Sequence, residues 1–346
     1  MIVVMQQGAA FEEVAAVIRR VEAVGCQVYT SKDRGRTIVG VIGRNVDSLH
    51  EVVAELPGVE DVLDIGPAYR LASREYRRAS SVVDVRGVAV GGERPVLIAG
   101  PCAVESHEQL LASAHAVKAA GADLLRGGAF KPRTSPYSFR GLGAEGLRIL
   151  HDVGRRTGLP VVSEILSPTD IDLFLEHVDV LQIGARNMQN YNLLDEVGKA
   201  ARPVLLKRGM MSTIEELLLS AEYILARGNE RVILCERGIR TFETSTRHTP
   251  DIAAIPVVKQ LSHLPIVFDP SHAAGARRYV PPFARAGIAA GADGILVEVH
   301  ANPDEALCDG RQALAPADYV RLVGEMRAIA AAIGRPFEAA AAANAR

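Results

Sequence analysis

Eight short apolar segments, each followed by a loop and a helical stretch, constrain this chain more than any other feature. They are PVLIAG (95–100), ADLLRG (122–127), PVVSEI (160–165), VLQIGA (180–185), PVLLKR (203–208), VILCER (232–237), PIVFDP (265–270) and GILVEV (294–299). Runs this apolar suit strands buried on both faces, as in a parallel sheet. The stretches between them, such as SHEQLLASAHAVKAAG and STIEELLLSAEYILARG, carry helical periodicity. Eight such repeats over about 250 residues are the pattern of a (β/α)8 TIM barrel. A doubly wound sheet is the alternative, but no Gly-rich dinucleotide turn accompanies the repeats. SVVDVRGVAVGG (81–92) reads as a hairpin ahead of the first segment.

Residues 1–66 form a separate pattern. MIVVM is a short apolar strand, and FEEVAAVIRRVEAVG a helix that stops at Gly25. CQVYTSK and TIVGVIG read as two strands joined by DRGR, SLHEVVAELPG as a second helix, and VEDVLDI as a fourth strand. The order βαββαβ is that of a ferredoxin-like unit. Such a unit is too small for a large active site and suits regulation or assembly. The polar, basic residues 67–80 predict a solvated linker. The barrel with its hairpin is expected over 81–338, and EAAAAANAR ends in a frayed tail, 339–346.

Composition removes several functions. Lys+Arg 39 against Asp+Glu 41 leaves no basic field for nucleic acid. The N-terminus has no basic signal region, and no apolar run reaches the roughly 18 residues of a membrane span. Four cysteines with no CxxC pair suit a reducing cytoplasm.

Chemistry in such barrels sits at the C-terminal ends of the strands. Six cations are expected there: Arg126, Lys131, Arg133, Arg186, Lys207 and Arg237. Arg presents a planar fork suited to carboxylate and phosphate oxygens, and Lys a point charge. Six exceed what one monophosphate needs, which predicts two anionic groups or two phosphorylated substrates. Pairing with carboxylates at neighbouring strand ends is the competing explanation. The loop FKPRTSPYSF brackets Arg133, Thr134 and Ser135 with prolines, holding a cation and two hydroxyls in place.

A second set lies at or beyond strands one, seven and eight: Cys102, His272, Glu298 and Asp309. In a closed barrel the first and eighth strands are neighbours, so these four can meet. A thiolate, an imidazole and two carboxylates form a mixed donor set for Mn2+, Fe2+, Co2+ or Zn2+. A small buried cysteine and a satisfied turn histidine are the bland alternatives. Cys26 and Cys235 read as packing residues. Cys308, next to Asp309, reads as incidental or as a redox-sensitive neighbour.

GPC, LRGGAFKPRTSPYSFRGLG, QIGARNMQN, LLKRGM, CERGIRTFE, DPSH and VEVH…LCDG closely resemble 3-deoxy-D-arabino-heptulosonate 7-phosphate (DAHP) synthases of the type I beta branch. The resemblance covers the whole barrel, and residues 1–66 look like the ferredoxin-like regulatory domain of some members. It implies condensation of phosphoenolpyruvate with erythrose 4-phosphate, with release of phosphate, as the entry step of aromatic amino-acid synthesis. It makes Cys102, His272, Glu298 and Asp309 the ligands of a divalent metal. Arg126, Lys131, Arg186, Lys207 and Arg237 would hold the carboxylate and phosphate of phosphoenolpyruvate. Arg133 and Thr134 would hold the phosphate of erythrose 4-phosphate. Glu164 would orient or activate a water near C2, and Lys131 or a metal-bound water would deliver protons. Lys131, Glu164, Cys102 and His272 are thus the expected catalytic participants.

The resemblance also implies a homotetramer and an aromatic amino-acid effector, tyrosine or phenylalanine, at the N-terminal unit. CQVYTSK, with Tyr29 and Ser31 on one strand face, is the candidate patch there; packing is its alternative. The nearest rival in the superfamily is 3-deoxy-D-manno-octulosonate 8-phosphate (KDO8P) synthase, which uses arabinose 5-phosphate. It typically reads KANRSS where this chain reads KPRTSP, so Pro132, Arg133 and Thr134 favour the four-carbon sugar. A non-catalytic phosphate-sensing barrel is the rival from another class.

Overall fold

The computed structural model describes residues 1–33, 35–43, 46, 49–63, 68–133 and 135–337. Two compact units divide between Ala68 and Tyr69.

The first unit holds strands β1 (Ile2–Met5), β2 (Gln27–Asp33), β3 (Arg36–Ile42) and β4 (Val59–Leu63), with helices α1 (Phe11–Glu22) and α2 (His50–Ala54). The sheet order is β2-β3-β1-β4, and all pairings are antiparallel. This is the ferredoxin-like arrangement expected from the βαββαβ order. Helix α1 forms because Val14, Val17, Ile18 and Val21 recur on one face. Its first turn carries Glu12 and Glu13 and its last Arg19 and Arg20, the signs that complement the helix dipole. Its apolar stripe packs with Val3, Met5, Val39, Val41 and Cys26. Tyr29 and Ser31 are both exposed, on the strand that pairs with β3.

The second unit is a closed barrel of eight parallel strands: β7 (Val96–Gly100), β8 (Leu124–Arg126), β9 (Val161–Ile165), β10 (Val180–Ile183), β11 (Val204–Lys207), β12 (Val232–Glu236), β13 (Ile266–Phe268) and β14 (Gly294–Glu298). The hairpin β5 (Val83–Val85) and β6 (Val88–Val90) precedes it. The helices are α3 (His107–Ala120), α4 (Ala144–Thr157), α5 (Ile171–His177), α6 (Tyr191–Lys199), α7 (Ile214–Ala226), α8 (Ala254–Leu261), α9 (Pro270–Ala274), α10 (Val280–Ala289) and α11 (Pro316–Ala332).

Each apolar run is buried on both faces because alternate residues enter different cores. Ile98, Leu124, Val162, Val180, Leu205, Ile233, Val267 and Leu296 pack inside the barrel with Val83, Val85 and Val90 of the hairpin. Their neighbours Leu97, Leu125, Val161, Leu181, Leu206, Leu234, Ile266 and Ile295 pack outward with the helices. Burying each such side chain contributes about 1.5–3 kcal/mol. The hairpin packs into the interior cluster from the side on which the strands begin, so the opposite mouth is left for chemistry.

The segment expected to be a solvated linker belongs to the barrel unit from Tyr69 onward. Tyr69 and Ala72 are buried, and the backbone N–H groups of Leu71 and Ala72 donate to the Glu222 carboxylate. Arg74 donates to the carbonyl of Lys259 at 2.6 Å, in the last turn of α8. Arg74 is held because an arginine can satisfy orphan helix carbonyls as readily as face water, while residues 75–80 are exposed, as a solvated segment would be. Residue 67 and the expected tail, 339–346, lie outside the described residues.

Candidate active site

The strand runs turn from apolar to charged at one end of the barrel: Arg126 ends β8, Lys207 ends β11, Glu236 ends β12 and Glu298 ends β14. Strand β14 pairs with β7, with Glu298 opposite Gly100, so the loop bearing Cys102 meets Glu298 across the closing seam. His272 arrives on the short helix α9, directly after β13. Asp309 arrives on the loop after β14, in a left-handed backbone conformation with φ 55°.

These four side chains converge. His272 Nε2 lies 3.5 Å from Glu298 Oε1 and 3.9 Å from Asp309 Oδ2, and Cys102 Sγ lies 3.4 Å from Asp309 Oδ2. Two groups of donors could hold a metal ion, His272–Glu298–Asp309 and Cys102–Cys308–Asp309, each with its ligand atoms within 4.8 Å of one another. Asp309 belongs to both. The Nδ1 of His272 is taken by Asp269, which leaves the Nε2 lone pair aimed at the carboxylates, the arrangement a ligating imidazole requires. The donors therefore fit a divalent transition metal.

The electrostatics agree. Burial would raise the Glu298 carboxyl, but His272 and Arg126 outweigh it and hold the group down at about 2. Burial would likewise raise Asp269, yet His272 and Lys207 hold it well below the carboxylate range. Burial lowers the His272 imidazole, against the pull of the facing Asp269 and Glu298 carboxylates. The hydrogen bond with Cys308, and then burial, push the Cys102 thiol well above its ordinary range. A bound cation reverses that balance, because a coordinating thiol loses its proton.

A cavity of about 510 Å3 opens beside this cluster. Of the six expected cations, Lys131, Arg133, Arg186 and Arg237 line it. Arg126 and Lys207 do not. They are buried in ion pairs, Arg126 Nη1 with Glu298 Oε1 at 2.7 Å and Lys207 with Asp269. Each pair reaches across one intervening strand, β8 to β14 and β11 to the end of β13, and so differs from the neighbouring-strand pairing of the competing expectation. Buried ions need such partners, because desolvation otherwise costs several kcal/mol per ion, on the order of 3–5 kcal/mol when one partner is removed.

Two glycines make room for reactive groups. A Cβ on Gly184 would stand 1.8 Å from Glu164 Oε1, so QIGARN needs glycine where the carboxylate enters the cavity. A Cβ on Gly128 would stand 2.8 Å from both the Cys102 carbonyl oxygen and Lys131 Cδ. Lys131 donates through Nζ to that carbonyl at 3.0 Å, which fixes its ammonium near the donor cluster.

Sequence reasoning missed several groups. Arg240, Arg247 and His248 line the cavity, all from the loop that follows Arg237. That loop folds back through an antiparallel bridge between Ile239 and Thr249. Three arginines in one strand-to-helix loop were the available signal. Burial, and then Arg237, Arg247 and Arg240, press His248 down to about 3, so its imidazole is neutral. Gln312 donates to Glu298 Oε2 at 2.6 Å while its oxygen accepts from Arg247 at 3.0 Å. Arg208 and Glu236 pair with each other at 2.8 Å, and Arg208 also with Asp251. Cys308, expected to be incidental, sits 3.2 Å from Cys102, sulfur to sulfur. Cys26 and Cys235 are buried in the cores of their units. Thr134 lies outside the described residues; its neighbours Arg133 and Ser135 line the cavity.

Comparison with known proteins agrees with this geometry. Residues 72–332 match the model of the DAHP synthetase I family, and residues 1–66 that of the DAHP synthase ferredoxin-like domain. The chain is 47% identical over 334 residues to a phospho-2-dehydro-3-deoxyheptonate aldolase of Thermotoga maritima, covering 96% of this chain and 99% of that one. A crystal structure of the DAHP synthase of that organism superposes with a TM-score of 0.80 at 46% identity, covering 97% of this chain and 99% of the other. A 2-dehydro-3-deoxyphosphooctonate aldolase of Geobacter sulfurreducens is 35% identical over 270 residues, spanning 98% of its own length but 72% of this chain. Both units of the chain are thus matched in order and nearly end to end, and the chain belongs to the DAHP synthetase I family.

Proposed function

We propose that this chain condenses phosphoenolpyruvate with erythrose 4-phosphate to give DAHP and inorganic phosphate. The observation that carries the reading is one cavity lined by six cations, Lys131, Arg133, Arg186, Arg237, Arg240 and Arg247, that adjoins a cluster of metal donors. Two anionic substrates need such a wall, and an aldehyde needs an electrophilic partner.

In this reading Lys131, Arg186 and Arg237 hold the carboxylate and phosphate of phosphoenolpyruvate. Arg126 and Lys207 support them from the buried layer beneath, through their charge and their ion pairs. Arg133 and Thr134 take the phosphate of the sugar. Held together, the two substrates react without the entropy cost of an encounter. Cys102, His272, Glu298 and Asp309 would hold a divalent metal, Mn2+, Fe2+, Co2+ or Zn2+, which supplies Lewis-acid polarisation of the aldehyde oxygen. C3 of phosphoenolpyruvate attacks the aldehyde carbon. Glu164 orients a water that adds at C2, and the C2–O bond of the resulting hemiketal phosphate then breaks to release phosphate. Lys131, which lines the cavity beside the donor cluster, is the candidate proton donor to the new alkoxide.

Pro132 and Arg133 in the sugar-phosphate loop support the four-carbon aldehyde over arabinose 5-phosphate. The octonate-forming reaction is the second reading, supported by the relatives of that name. On the same reading residues 1–66 take tyrosine or phenylalanine as effector, and the protein works in the cytoplasm as a homotetramer. The deciding experiment is phosphate release from phosphoenolpyruvate with each aldehyde, with and without EDTA and added tyrosine or phenylalanine. Turnover with erythrose 4-phosphate that EDTA abolishes is expected. Turnover only with arabinose 5-phosphate would overturn the assignment, and turnover with neither would leave a binding protein.

A further inference from the structure

We infer that Cys308 is a fifth donor of the metal centre, giving it a two-thiolate side that selects thiophilic ions such as Zn2+ and Cd2+. The inference rests on the reading that the neighbouring donors hold a metal. Its basis is the second of the two donor groups, Cys102–Cys308–Asp309, which composition and spacing had left aside.

Adjacent side chains usually diverge, yet Cys308 and Asp309 both turn toward Cys102. The left-handed conformation of Asp309, φ 55°, is the local feature that accompanies this. Cys102 Sγ lies 3.2 Å from Cys308 Sγ and 3.4 Å from Asp309 Oδ2, and both sulfurs are buried. Two thiolates on one tetrahedral ion, at about 2.3 Å each, stand roughly 3.7 Å apart. The sulfurs therefore need to part by about half an ångström, on the order of a side-chain adjustment.

The two groups share Asp309 but differ in softness. His272–Glu298–Asp309 offers nitrogen and oxygen, which suit Mn2+ or Fe2+. Cys102–Cys308–Asp309 offers two sulfurs, which suit Zn2+ and Cd2+. The choice of ion then touches the sugar-phosphate loop. Arg133 donates to Cys308 Sγ at 2.6 Å, so a metal on that sulfur competes with the guanidinium and frees it for an anion.

The test uses the full chain with its thiols reduced. Co2+ uptake is measured by equilibrium dialysis, and the thiolate-to-cobalt charge-transfer absorption is recorded for the wild type, Cys308→Ser and Cys308→Ala. Each variant should lose about half the band, and its Cd2+ affinity should fall about 10-fold with Mn2+ affinity nearly unchanged. A band and a Cd2+ affinity unmoved in both variants would overturn the role of Cys308 and leave the metal centre standing. No Co2+ uptake by any protein would overturn both. Cadmium NMR of the wild type, which needs no variant, should report two sulfurs on the ion; one sulfur refutes the inference.

Discussion

The Nδ1 of His272 lies 2.7 Å from Oδ2 of Asp269, whose other oxygen accepts the backbone N–H of the same histidine at 3.0 Å. A carboxylate only accepts, so the imidazole proton is fixed on Nδ1 and Nε2 is free to ligate. Asp269→Asn keeps the backbone cap but loses the charge. Metal affinity should fall by about 10–100-fold, read by equilibrium dialysis. The same change leaves Lys207 buried without its partner, so the melting temperature should fall as well. Unchanged metal affinity in the folded variant would remove Asp269 from the centre.

Gly184→Ala should damage catalysis far more than folding. The new methyl group collides with Oε1 of Glu164 at 1.8 Å, and that oxygen is the far end of a side chain that can swing away. Misplacing a positioned group by about 1 Å costs roughly 10²-fold in rate. The variant should therefore keep its melting temperature within a few degrees and lose about 10²-fold in kcat. Full activity would show that Glu164 takes no part.

Arg133→Ala should separate the two substrates. KM for the aldehyde phosphate should rise by roughly 10-fold or more, while KM for phosphoenolpyruvate stays near its wild-type value. An equal rise in both would refute the assignment of this arginine to the sugar phosphate.

Cys102→Ser should abolish turnover without unfolding the chain, since serine has nearly the shape of cysteine. Circular dichroism should match the wild type while phosphate release disappears. Near-wild-type turnover, or turnover of the wild type in metal-depleted buffer, would sink the metal reading.

His248 sets a pH dependence of stability. Its imidazole stands at about 3 in the fold, against roughly 6.5 in the unfolded chain. The unfolded chain binds the extra proton between these values, so this contribution is complete above about pH 6.5 and is lost as the pH falls toward 3. His248→Gln should flatten the acid limb of a denaturation series in that window. Identical limbs for both proteins would show that His248 ionises freely.

Much of this was legible along the chain. Apolar runs of five or six residues, repeating with helices between them, indicate a parallel sheet buried on both faces, and eight such repeats without a Gly-rich dinucleotide turn favour the barrel over a doubly wound sheet. The βαββαβ order determines the N-terminal unit in the same way. Strand-end positions located Glu164, Arg237 and Glu298, since the charged residues begin where the apolar runs stop, and the motif resemblance added Cys102, His272 and Asp309 from the loops beyond. Loops were harder. Arg240, Arg247 and His248 enter the cavity only because their loop folds back on itself, and no periodicity records that.

The sequence by itself determined which residues stand at the strand ends. Only the tertiary structure decided what each one touches. It separated the cations into those that face the cavity and those, Arg126 and Lys207, that are buried against Glu298 and Asp269. It also set Cys308 beside Cys102, across 206 positions of sequence. The physical reason is that a strand's period fixes only the side of the sheet on which a residue lies. Desolvation and partner distance, which settle whether a charge binds a ligand or a neighbour, exist only once the barrel has closed.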